Sequence, residues 1–217
     1  DNVDLKAATA NNIVVMNTPG QNANAVAELT FGTMIYLNRN FYNGTSGVEL
    51  RGKSIGLHAY GNVAKVIGLI AKGMGMEVFA TDPYVEKIII ENDGIKYVAD
   101  KNELYSSCQY VAVSLPANNE TRESINYDLM SRMPQSATLV NPARKEIIHE
   151  PSLIRMFTDR KDFRYLTDTA PSCHDQLMNE FGDRYYATPK KMAAQTAEAN
   201  INAGLAAARQ IVNFLQK

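Results

Sequence analysis

The sequence predicts an α/β fold: a doubly wound parallel sheet, Rossmann-like, with helices on both faces. Three observations carry this. Apolar, β-rich runs recur at 13–16, 54–59, 77–81, 110–115, 138–141, 164–167 and 185–187, and most intervals between them hold helical patterns. Runs such as YVAVSL are almost continuously apolar, which suits strands covered on both faces. Residues 54–85 follow the order of a nucleotide-binding unit: apolar run, turn, amphipathic helix, second apolar run, acidic residue.

Composition narrows the class. A chain of 217 residues that is 45% hydrophobic can bury a substantial core. Its net charge of −1, spread along the chain, favours neither nucleic acid nor a membrane surface as partner. No apolar run approaches the ~20 residues of a spanning helix, and no signal-peptide pattern stands at the start. Cys108 and Cys173 lie far apart without CxxC spacing, so neither a disulfide framework nor a metal site is expected. A reducing, cytoplasmic setting fits. The chain opens at Asp1 in the polar stretch DNVDLKAATANN, which reads as a cut inside a longer protein.

The remaining elements follow in order. The polar, glycine-bearing stretch 41–53 is expected to be a connector. Before it, the helical pattern 22–40 carries Leu29, Phe31, Met34, Ile35, Tyr36 and Leu37, more apolar surface than one covered face needs. At the other end, helix 196–216 sets Ile201, Leu205, Ala208, Val212 and Leu215 on one stripe, which must cover something.

The turn at 59–64 departs from the usual Gly-x-Gly-x-x-Gly; it reads Ala59-x-Gly61-x-x-Ala64. Gly61 holds the position where the backbone approaches a pyrophosphate. Ala64 holds the position where helix and strand pack closely. Ala59 replaces the tight-turn glycine and is expected to serve with a negative φ. A helix starting near Asn62 offers free N–H groups and a positive dipole end to the phosphates. Asp82, before Pro83 and 21 residues beyond Gly61, is placed to accept hydrogen bonds from a ribose 2′-OH. A carboxylate there repels a 2′-phosphate, so NAD is expected rather than NADP.

Further stretches, in order, are DNVDLKAAT, VVMNTPGQNANAVAEL, ELRGKSIGLHAYGNVAK, VAVSLPANNETRESIN, ATLVNPARKEIIHE, TDTAP and ATPKKMAAQTAEANINAG. They resemble the D-isomer-specific 2-hydroxyacid dehydrogenases over essentially the whole chain. Within that family the pattern is similar to short D-3-phosphoglycerate dehydrogenases without a regulatory C-terminal domain. The resemblance implies hydride transfer between NAD and D-3-phosphoglycerate or 3-phosphohydroxypyruvate, a step of serine biosynthesis. Other D-2-hydroxyacid dehydrogenases or glyoxylate-type reductases, and an NAD-binding module with a degenerate site, are the alternatives. It also implies three parts: 1–17 ending a substrate-domain segment, 18–195 binding NAD, and 196–217 returning to the substrate domain. A homodimer through helix 22–40 and the loop after it is implied as well.

The same resemblance assigns residues. Asn62 and Val63 present N–H groups to the pyrophosphate. Leu115 and Pro116 form the wall against adenine, and Thr121 lies near the nicotinamide side. Asn141, Pro142 and Ala143 run beside nicotinamide, and Asp168 accepts from its carboxamide. Arg144 holds the carboxylate and carbonyl of the 2-hydroxy or 2-keto acid; a guanidinium grips a carboxylate bidentately. The family's catalytic histidine is absent. In TPKKMAAQT, with one residue inserted, register makes Lys191 its equivalent and Lys190 the extra cation. The partner glutamate after Asp168 is absent too, a coherent loss, since a lysine needs its pKa lowered by burial or a nearby cation. His58 reads as core, and His149 and His174 do not restore a histidine mechanism.

Overall fold

A computed structural model describes residues 3–216. The elements run α1 (Leu5–Ala10), α2 (Ala23–Asn38), β1 (Ser54–His58), α3 (Asn62–Gly73), β2 (Glu77–Thr81), α4 (Lys87–Asn92), β3 (Lys96–Tyr97), α5 (Lys101–Ser107) and β4 (Tyr110–Val113). They continue with α6 (Tyr127–Met130), β5 (Thr138–Asn141), α7 (Glu150–Asp159), β6 (Arg164–Thr167), α8 (His174–Phe181), β7 (Tyr185–Ala187) and α9 (Ala197–Leu215).

All seven strands pair in parallel, in the order β3-β2-β1-β4-β5-β6-β7. Successive side chains of a strand point to opposite faces, and both faces of this sheet are dry. Val111 and Val113 of β4 join a core with α5, α6, α7 and α8. Tyr110 and Ala112 join the other, with α2 and α3. That is why these strands read as unbroken apolar runs. In β1, Gly56 brings α5 close: a Cβ there would lie 2.8 Å from Leu104 Cγ.

Four expectations change. The run 13–16 forms no strand and is exposed. An apolar run becomes a strand only where a free edge accepts its backbone bonds, and this one meets none among the described residues. Strands expected at 54–59 and 110–115 stop at His58 and Val113, so Ala59, Ser114 and Leu115 turn into loops. β3 was not expected; two residues are too short for a periodic signal.

The fourth concerns α2. Phe31, Met34 and Leu37 are buried in the core shared with α3 and the sheet, and Leu29, Ile35 and Tyr36 are half-buried. None of the six is exposed, so the helix carries no uncovered apolar surplus of that kind. It has two covered flanks, one on α3 and one towards β6 and β7. The connector after it opens with a left-handed turn, Asn40, Phe41 and Tyr42 at φ +50°, +55° and +57°. Tyr36 packs edge-on against Phe41, Tyr42 and Tyr186 and holds that turn in place.

In α9 the stripe is open: Ile201, Leu205, Val212 and Leu215 are 50–76% exposed. Thr196 caps the helix, accepting from Ala199 N at 3.1 Å. Gln210 on α9 donates to Asn17 O at 2.8 Å, so the two flanking segments meet each other.

Candidate active site

Strand order reverses between β1 and β4, and an open parallel sheet places ligands outside the carboxyl ends of its strands at that point. Two cavities open there. One, of about 410 Å³, is lined by His58, Ala59, Asp82, Pro83, Tyr84 and Thr121 among others. The other, of about 390 Å³, is lined by Val63, Pro142, Ala143, Arg144, Asp168 and Lys191 among others. Leu115 and Pro116 line both and form the partition.

The turn between them is strained at one residue. Ala59 has φ +78°, not the negative φ expected of an alanine there. The chain turns out of β1 at this residue, and the left-handed conformation costs a non-glycine residue about 1–2 kcal/mol. Gly61 has φ −85°, so its value is space, not conformation. A Cβ on Gly61 would meet nothing within 4 Å, whereas Ala64 is fully buried at the helix–strand contact. Gly61 caps α3 without a side-chain bond, so Asn62 and Val63 begin the helix at its positive end.

Asp82 leaves β2 before Pro83, which holds it extended. Its Oδ2 accepts from Tyr60 N at 2.7 Å and its Oδ1 from Tyr84 N at 2.8 Å. The carboxylate therefore braces the turn as well as facing the cavity. Tyr60 adds a second brace that sequence reasoning missed: its ring is buried and its hydroxyl donates to Asp93 Oδ2 at 2.8 Å. His58 is buried as expected, 3.1 Å from the Tyr105 hydroxyl. Burial first, and the Lys101 cation second, lower its pKa from 6.5 to about 4, so it is neutral at pH 7.

Thr121 lines the cavity that holds Asp82 and not the one that holds Arg144. Its hydroxyl is bound to Pro116 O and accepts from Asn118 N at 2.9 Å, closing the 116–121 turn.

In the Arg144-side cavity, Asn141 is scaffold, not lining. Its Nδ2 donates to Arg144 O at 2.9 Å and its Oδ1 accepts from Ala143 N at 3.0 Å. This shapes the 142–144 turn and aims the half-buried Arg144 at the cleft. Lys191 lines this cavity; Lys190 lines neither. Both lysines are exposed, so the burial expected around Lys191 is absent among the described residues; Arg144 lines the same cavity. Asp168 is buried, and its oxygens accept from Thr188 Oγ1, Met192 N and Ala193 N at 2.9–3.0 Å.

His149 and His174 line neither cavity. His149 pairs with Ser152 Oγ at 2.6 Å and His174 with the Tyr185 hydroxyl at 2.9 Å. Glu150 is near Cys173 but accepts from Ser172 N at 2.7 Å and Cys173 N at 3.1 Å, so it holds a loop. Among the described residues no group of three or more His, Cys, Asp or Glu could hold a metal.

A dinucleotide fits these residues. Of the buried hydroxyls without a partner among the described residues, two line the cleft, Ser114 Oγ on the Arg144 side and Ser124 Oγ on the Asp82 side. An unpaired buried hydroxyl costs about 1–3 kcal/mol, which ligand oxygens in both halves would relieve. Nothing in the sequence around either serine signals this, because burial without a partner is a property of packing.

The chain belongs to the D-isomer specific 2-hydroxyacid dehydrogenases: residues 23–183 match that family's NAD binding domain, and its cofactor is NAD. It is 43% identical to the NAD+-bound 3-phosphoglycerate dehydrogenase of Entamoeba histolytica, with a TM-score of 0.92 over 100% of this chain and 69% of that one. It is 31% identical to the D-3-phosphoglycerate dehydrogenase of Methanocaldococcus jannaschii, covering 100% of this chain and 44% of that protein. It is 28% identical to the hydroxypyruvate reductase of Thermotoga maritima, covering 99% of this chain and 74% of that protein. The chain spans about half the length of the D-3-phosphoglycerate dehydrogenases of Methanocaldococcus jannaschii and Haemophilus influenzae.

Proposed function

We propose that the protein is an NAD-dependent dehydrogenase of D-3-phosphoglycerate, interconverting it with 3-phosphohydroxypyruvate, and so serves serine biosynthesis. The observation that carries this is the pairing of Arg144 and Lys191 in one cavity, across the Leu115–Pro116 partition from Asp82. The identity to the Entamoeba histolytica enzyme supports the choice of substrate. Asp82 and the start of α3 would hold the ribose and pyrophosphate. NAD, when bound, accepts the hydride that leaves the substrate's C2. Arg144 grips the substrate carboxylate and polarises the oxygen on C2. Lys191, as the free amine, takes the hydroxyl proton on Nζ during oxidation and returns it during reduction. Lys190, exposed beside it, offers a cation to the substrate phosphate. Leu115 and Pro116 would form the wall against adenine.

The test is a steady-state assay of the protein in its natural length against a panel of 2-keto acids. Preferential NADH oxidation with 3-phosphohydroxypyruvate is expected. Preference for glyoxylate or hydroxypyruvate would favour a reductase of the Thermotoga maritima kind, and no turnover with any would leave an NAD-binding module.

The homodimer expected from the family keeps a narrower support. Tyr42 and Val48, in the loop after α2, are exposed apolar residues. Light scattering checks it; a monomer at micromolar concentration would count against it. A cytoplasmic setting rests on two free cysteines, Cys108 and Cys173. Among the described residues no helix is long and apolar enough to cross a membrane.

A further inference from the structure

The Asp82-side cavity lies between two loops, the one that leaves β2 and the one that leaves β4. Its floor, with His58, Ala59 and Thr81, is buried. Its rim is open: Tyr84 is 83% exposed, and Glu120 is exposed too. One side chain shapes each loop. Asp82 Oδ1 accepts from Tyr84 N at 2.8 Å, and Asn118 Oδ1 accepts from Glu120 N at 2.9 Å and Thr121 N at 3.0 Å. The tips of the two turns meet: the Tyr84 hydroxyl donates to Glu120 Oε2 at 3.0 Å. Among the described residues no other hydrogen bond joins residues 82–86 to residues 114–121.

We propose that Tyr84 and Glu120 are positioning residues for the cofactor. Their bond straps the rim of this cavity and sets how fast the adenosine half of NAD or NADH enters and leaves, not how tightly it is held. The proposal rests on the reading that Asp82 holds the adenosine ribose. The bond joins protein to protein, so it is available to the free and the occupied cavity alike. A contribution common to both states cancels from the affinity and remains in the barrier to passage in either direction. An exposed bond of this kind is worth little more than the bonds to water it replaces. Exposed side chains also change rotamer within picoseconds to nanoseconds. The strap therefore opens readily, and the fraction of time it stands open scales both rates. A tyrosine suits the task, because a rigid ring spans the gap and its hydroxyl supplies the proton that a carboxylate accepts.

The test is stopped-flow exchange of NADH, followed by its own fluorescence, on the protein in its natural length. Tyr84→Phe keeps the ring and loses the hydroxyl. In it the association and dissociation rate constants of NADH should both rise by about threefold or more, with Kd within about twofold of the unaltered protein. Glu120→Ala should behave alike. The double variant should exceed neither single one, because one bond can be lost only once. AMP, which carries the adenosine half alone, should show the same acceleration in competition with NADH, and nicotinamide mononucleotide should show none. Unchanged rates in Tyr84→Phe, or additive effects in the double variant, would overturn the proposal. So would faster dissociation alone with Kd weakened to match, which would make Tyr84 a ligand contact. Both side chains are exposed, so the variants should keep the Tm of the unaltered protein. If Asp82→Asn leaves the preference for NAD over NADP unchanged, the adenosine placement fails, and the double variant still judges the bond.

Discussion

The two halves of the cleft are of nearly equal size but are built in opposite ways. On the Asp82 side the polar groups are mostly bound to one another: Asp82 to two backbone amides, Tyr84 to Glu120 at 3.0 Å, Asp100 to Asn102 N at 2.9 Å. Its charges are mainly carboxylates: Asp82 after β2, Asp100 capping α5 and Glu120 in the loop after β4. On the Arg144 side the charges are Arg144, Lys191 and Asp168, the last bound to Met192 N and Ala193 N. A half that recognises a constant ligand can be assembled in advance. A half proposed to move a proton must leave a group on the cleft wall to meet the substrate, and Lys191 stands on that wall.

That contrast is broken most sharply by Lys191→Met. kcat should fall by about 10²–10⁴-fold, the usual worth of general acid–base catalysis, with NAD affinity almost unchanged. Lys190→Met should mainly raise KM for the substrate. The reverse pattern would put the proton on Lys190 and the register off by one.

His58 sharpens the other half. Its pKa is about 4 in the folded chain and 6.5 unperturbed, so the unfolded chain binds more protons between those values. Stability is therefore present above pH 6.5 and lost as pH falls towards about 4, by about 3 kcal/mol at most. Urea midpoints across that range should decline in the unaltered chain and decline less in His58→Gln. Equal slopes would mean that the histidine is not held neutral.

A smaller effect is expected at Asp82. Asp82→Asn keeps an acceptor for one backbone amide but removes the charge that repels a 2′-phosphate. The preference for NAD over NADP, read by calorimetry, should shrink by roughly tenfold, or about 1.4 kcal/mol. If the unaltered chain binds NADP as well as NAD, the role given to Asp82 is wrong. The smallest is Ala59→Gly. Relief of the left-handed alanine should add about 1 kcal/mol and raise Tm by about 2–4 °C in thermal unfolding. A lower Tm would show that glycine's entropy outweighs the strain.

Much of this was legible in the residues. Strands β2, β5, β6 and β7 have the bounds their apolar runs predict, because the middle of a parallel strand buried on both faces is mostly apolar. The order strand, turn, helix, strand, Asp82 was equally visible, since those signals lie within some thirty consecutive residues. The matching family shows the same stretch to be NAD-binding.

Long-range partnership was not legible. The run 13–16 has the composition of a strand, but it pairs with no sheet edge among the described residues. The apolar residues of α2 look surplus until α3 and the sheet take them from two sides. Ala59 reads as an ordinary alanine; only the reversal after β1, with Tyr60 N drawn to Asp82, forces it left-handed. Asp168 reads as a strand-end carboxylate, and the protein groups it binds lie 20 to 25 residues further on. Local pattern states how much of a segment must be buried and on which face. Which neighbour buries it, and which donor reaches a given oxygen, is set by where distant segments meet, and that exists only once the chain has packed.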